Sequence, residues 1–240
     1  MKTLSRLNMT VLLSCLLAAT FLSAKTAAAE NHNSTDCPGT LPATHATLAA
    51  GDQSSANHLQ LSRKVDAGAE IALDVCAADV MLTGAADNVL RVTVDIENPS
   101  PQHTAVDYLQ TLEVMPHAVN LRLHLFHRLR AKVTIEIPAA APDLTLNLGR
   151  GDLALVADRI GGKQETINVG YGHVEFQGNA DAYEGLEVNI GLGSLHDHRK
   201  DGENHHFIVA RSLHGTGQGS IVMNVGMGSV DLNPGQGKPI

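Results

Sequence analysis

Apolar and polar residues alternate along much of this 240-residue chain, and no stretch after the first thirty residues repeats its apolar positions at helical spacing. The alternation is sharpest in an eight-residue pattern: apolar, Asn, apolar, Gly, any, Gly, polar, apolar. Four copies begin at Leu146, Ile167, Val188 and Met223. They align Asn147, Asn168, Asn189 and Asn224, and the glycine pairs Gly149/Gly151, Gly170/Gly172, Gly191/Gly193 and Gly226/Gly228. In a strand, residues two apart share a face, so Leu146 and Leu148 point one way and Asn147 the other. Strict alternation through the glycines would then bury Arg150 and Asp152 and expose Leu153, so the chain has to turn there. Glycine supplies the positive φ that such a corner needs. Each unit therefore reads as strand, corner, strand.

The asparagines follow one another at 21, 21 and 35 residues, and a short unit of this kind cannot bury its apolar face alone. Stacking would bury it. The expectation is an all-β, right-handed β-solenoid of about 21-residue repeats, with the asparagines in a ladder that either bonds to itself and the neighbouring turns or offers a row to a ligand. Further strands are expected at 71–75, 79–82, 89–96, 121–125 and 129–137, the last stopped by Pro138 and Pro142. Asn98 to Val106 reads as a loop, as does His196 to His206, which interrupts the repeat.

The N-terminus has a different texture. Residues 1–29 combine basic Lys2 and Arg6, an apolar run from Met9 to Leu22, and small residues at 27–29, which reads as a secretory signal peptide. Cys15 lies inside that run, loosely resembling a lipidation box. Residues 30–57 read as a polar linker, and 58–240 as one β domain. No later stretch is apolar enough to predict a membrane-spanning helix. Removing residues 1–29 takes away Lys2, Arg6 and Lys25 and no acid, so the net charge moves from -8 to -11. That surface repels phosphate backbones, and with no Trp and three Tyr it lacks stacking platforms, so nucleic acid is not an expected partner. Cys37 and Cys76 remain, and export makes a disulfide between them the natural expectation; a cysteine-based zinc site lacks the paired spacing.

The strands flanking the glycine turn between Val80 and Val94, the run Val133 to Pro138 leading into Leu144 to Leu153, and the recurring Gly-x-Gly corners together resemble the bacterial adhesin-like domains of unknown function. The resemblance covers about His58 to Leu232. It implies a secreted or envelope protein with a right-handed β-solenoid, and it brings no catalytic residues with it. The expected function is non-catalytic attachment or interaction at the bacterial envelope, on the cell surface or in the periplasm, with an envelope or surface protein or a glycan as partner and no cofactor. A structural or regulatory role inside the periplasm is the alternative. Open strand edges at the ends of such a domain invite self-association.

Chemistry concentrates in histidine, of which there are 13. His196 and His198 in extended chain put both rings on one face, and with His205 and His206 they form a candidate site for zinc, copper or nickel, with Asp197 or Asp201 available to orient a ring. A solvated loop explains the same residues. Arg150-Gly151-Asp152 spells the tripeptide recognised by animal integrins but fills a repeat corner like any other copy. Neither a Gly-x-Ser-x-Gly elbow nor His-Glu-x-x-His occurs, and no enzymatic activity is expected.

Overall fold

The computed structural model describes residues 46–126, 128–139, 143–157, 164–179, 183–199 and 201–235. The expected signal peptide and Cys37 lie outside them. Alternating burial produces strands throughout: β1 Gln53–Ser54, β2 His58–Lys64, β3 Glu70–Ala77, β4 Asp79–Gly84, β5 Val89–Ile96, β6 Leu109–Met115 and β7 Ala118–Leu123. These are followed by β8 Ala131–Ile137, β9 Asp143–Arg150, β10 Leu153–Val156, β11 Gln164–Gly178, β12 Gly185–Asp197, β13 His205–His214 and β14 Ser220–Pro234. Apart from Ala157, the 3-10 turn Ala105–Tyr108 is the only helical element among the described residues, so the all-β expectation holds. All the strands belong to one mixed sheet that curls into a half-barrel.

The four pattern copies occupy β9/β10, β11, β12 and β14, and each bends at its glycines. Gly151, Gly172, Gly193 and Gly228 take φ of +136°, +156°, +156° and +148°. Space is as decisive as conformation. A Cβ on Gly172 would overlap the Gly151 carbonyl, one on Gly228 the Gly172 carbonyl, and one on Gly193 the Gly228 carbonyl. Ala78 opens this column, since its carbonyl fills the Cβ position of Gly151. Strands on either side of the corner can then stay in register, and their inward rows close over a common core. One such row is Leu73, Leu146, Ile167, Met223 and Val188; across the corner lies Val80, Leu153, Val174, Val230 and Leu195. All ten are buried.

The β-solenoid of stacked 21-residue repeats is not what forms. In a solenoid the copies would stack in chain order, whereas the asparagine row runs Asn147, Asn168, Asn224, Asn189: β14, the last strand, lies between β11 and β12. Its insertion follows from β13. The 14 residues by which the last spacing exceeds the others do not make a loop alone; after a short loop the chain returns antiparallel along β12, from His205 to His214. That return brings it back to the start of β12, and β14 then runs up on the other side. Antiparallel pairs also join β1 to β2, β2 to β5, β5 to β8 and β6 to β7. The sheet is mixed, and its ends are edge strands where a solenoid would have end coils.

The asparagines meet one another. Asn189 Nδ2 donates to Asn224 Oδ1 (3.1 Å), Asn224 to Asn168 (2.9 Å), Asn168 to Asn147 (2.8 Å), and Asn147 to the Asp74 carboxylate (2.7 Å). Arg122 closes the acceptor end with a 2.8 Å ion pair to Asp74. Every amide of the row donates the same way, toward Asp74, and Asn189 Nδ2 at the far end also donates to the Glu187 carboxylate (2.7 Å). The row thus carries an aligned chain of dipoles that the carboxylate stabilises.

Candidate functional site

Outward positions on the second halves of β11, β14 and β12 bring polar residues side by side. Register sets the rows: His173 opposite Ser229 opposite Ser194, and Glu175 opposite Asp231 opposite His196. Asp231 is the centre. Its Oδ1 lies 3.3 Å from His196 Nδ1, without the geometry of a hydrogen bond, and that oxygen is buried. Its Oδ2 lies 3.7 Å from His173 Nε2, while His173 Nδ1 is 2.8 Å from Ser229 Oγ. Glu175 Oε1 accepts from Gln177 (2.9 Å) and Asn233 (3.1 Å). A groove of about 330 Å³ beside the cluster is lined in part by Asp79, Asp152, His173 and Glu175.

Of the four histidines singled out in the sequence, His196 and His198 come together: one ligand atom from each and one from Asp231 all lie within 4.8 Å of one another. The His206 ring stands 6.1 Å from that of His196, because His206 pairs with Ser194 and so shares the face of His196. His205 is set apart. It pairs with Leu195, whose side chain is in the core, and its buried Nε2 lies 3.8 Å from a Glu203 carboxylate oxygen. Asp197 does not orient a ring. Burial alone would push its carboxyl up, but the Arg199 guanidinium, donating from Nε at 2.7 Å, and the Arg199 backbone N–H hold it below the ordinary value. Asp231, which spacing alone could not single out, takes that place. The signal was in the fourth copy, where position two beyond the polar corner reads Asp231 against His196 and Glu175, but finding it required knowing that β14 sits beside both.

The end strand β13 carries the second feature. Among the described residues it pairs with β12 only. Where β12 turns its corner at Gly193, β13 must turn too, and Phe207, opposite Gly193, does so with φ +77°, the only positive value outside glycine among the described residues. A bulky aromatic residue in that region is strained by about 1–3 kcal/mol. Phe207 is 75% exposed and Ile208 82%. The Arg150-Gly151-Asp152 corner, by contrast, is built into the sheet: the Arg150 guanidinium stacks 5.0 Å above the Tyr171 ring, and Asp152 Oδ1 accepts from the His173 N–H. Cys76 lies next to the end of β3, with its Sγ 3.8 Å from His124 Nδ1. Glu165 is the other anomaly. It occupies the inward row between Leu144 and Ile221, buried to 3%, and its Oε2 has no hydrogen-bond partner.

The chain matches no protein-family profile and no curated protein in sequence. Among solved structures it is similar to one described as a "putative cell adhesion protein" from Clostridium sporogenes, at 14% identity and a TM-score of 0.46, covering 76% of this chain and all of that one. It is also similar to a "putative lipid binding protein" from Parabacteroides distasonis, at 11% identity and a TM-score of 0.26, covering 75% of this chain and 98% of that one. No helix among the described residues is long and apolar enough to cross a membrane.

Proposed function

We propose that this is a non-catalytic attachment protein of the bacterial envelope, which binds a partner protein by accepting one of its strands along β13. The observation that carries the reading is Phe207: a strained, exposed aromatic residue beside exposed Ile208, on a strand with one edge unpaired. Folding gains little from either side chain where it stands, and glycine would turn the corner without strain. Strand addition uses both features, the backbone edge for affinity and alternate side chains for choice of partner. The envelope location rests on the signal-peptide-like texture of residues 1–29.

Two measurements test this reading. Protease applied to intact cells, followed by fractionation, distinguishes a chain on the surface, which is degraded, from one in the periplasm, which is protected. In parallel, the labelled chain and its Phe207→Ser/Ile208→Ser variant are titrated onto isolated envelopes. Saturable binding is expected, weakened about tenfold or more in the variant. Equal binding by the folded variant would remove β13 from the interface, and an absence of saturable binding would remove the attachment function.

A further inference from the structure

We infer that His196, His198 and Asp231 form a binding site for a divalent transition-metal ion of the zinc class. Three observations converge on it. The ligand atoms come from β12, from the residue just past its end and from the neighbouring β14, and already lie within 4.8 Å of one another. The 3.3 Å between His196 Nδ1 and Asp231 Oδ1 is long for a hydrogen bond, yet it is roughly the edge of a tetrahedron whose metal–ligand bonds are about 2.0–2.1 Å. That carboxylate oxygen is also buried without a hydrogen-bond partner, a cost that a metal ion would remove.

The surroundings suit the same ion. Two imidazoles and one carboxylate are the donor set that zinc, copper(II) and nickel accept, and calcium or magnesium would want more oxygen. His173, anchored through Nδ1 to Ser229, holds Nε2 3.7 Å from the other Asp231 oxygen, within ion-pair reach, where a small approach would let it orient the carboxylate by a hydrogen bond. His173 is a positioning residue here. A fourth ligand would be water or, after a side-chain movement, His206, whose ring centre stands 6.1 Å from that of His196. An ion at this place would join β14 to the end of β12, and so hold the start of the hairpin that presents Phe207.

The test is a zinc titration of the purified full chain against a competing chromophoric chelator, repeated with Asp231→Asn, with His196→Gln/His198→Gln, with His173→Gln and with His205→Gln. One ion per chain at micromolar affinity or better is expected. The first two variants should weaken it about a hundredfold or more, and His173→Gln about tenfold. His205→Gln should leave it unchanged. His196 and His198 are solvent-accessible, so the double variant keeps the test decisive if Asp231→Asn fails to fold. Absence of saturable uptake at micromolar zinc overturns the proposal, as does uptake that survives the double histidine variant or is lost in His205→Gln.

Discussion

Gly172 shows how much one residue can decide. Its φ and the Gly151 carbonyl against its Cβ position both exclude a side chain, so Gly172→Ala must move the backbone of two strands. A loss of about 3 kcal/mol or more is expected in urea unfolding. Gly68, also at positive φ but with open space around it, is the control, and Gly68→Ala should cost only about 1 kcal/mol. Glu165 makes the opposite case. Burial pushes its carboxyl up from 4.5 to about 8, so the folded chain keeps a proton that the unfolded chain releases. Its penalty is absent below pH 4.5, grows as the pH rises toward 8, and is constant above. Glu165→Gln should therefore raise the melting temperature far more at pH 7.5 than at pH 4.5, by up to about 4 kcal/mol in stability. A shift independent of pH would mean that the carboxyl is solvated.

At the level of elements, the asparagine row ties five strands together. Asn168→Ala removes one donated and one accepted bond in the middle of the row and should cost about 1–2 kcal/mol, whereas Asn189→Ala, at the donor end, removes the longer bond to Asn224 and a solvent-exposed one to Glu187 and should cost less. Thermal unfolding of the two variants measures the difference. These strands were legible because their apolar residues alternate over an exposed polar face: 89–96 was expected and is β5, and 79–82 lies within β4. The glycine corners were legible for the same reason, as the only points where alternation had to break. β13 was not. Its burial hardly alternates, since it is an edge strand with Phe207 and Ile208 exposed, and hydrophobic patterning has little to report where Val209 is the one buried residue.

Across the whole molecule, equal spacing of the copies argued for stacking in chain order, and that inference failed at one place. Periodicity specifies that the copies share a register; it does not specify which copy lies beside which. The hairpin of β12 and β13 decides that, and only its 14 extra residues hinted at it. The same insertion brings Asp231 between His196 and the strand of His173; β12 and β14 would be neighbours in either order, so it is the approach of His173 to the proposed metal site that depends on the observed one. Paired cysteines distinguish the two arrangements. Tyr171, Met227 and Leu192 are exposed, and Met227 pairs directly with each of the others. Neighbouring strands lie about 4.8 Å apart and next-but-one strands about 9.6 Å, beyond the reach of a disulfide. Oxidising Tyr171→Cys/Met227→Cys should give an intrachain cross-link, and Tyr171→Cys/Leu192→Cys should give none. Cross-linking of the second pair in place of the first would restore the solenoid order and contradict both the fold and the placing of His173 beside Asp231.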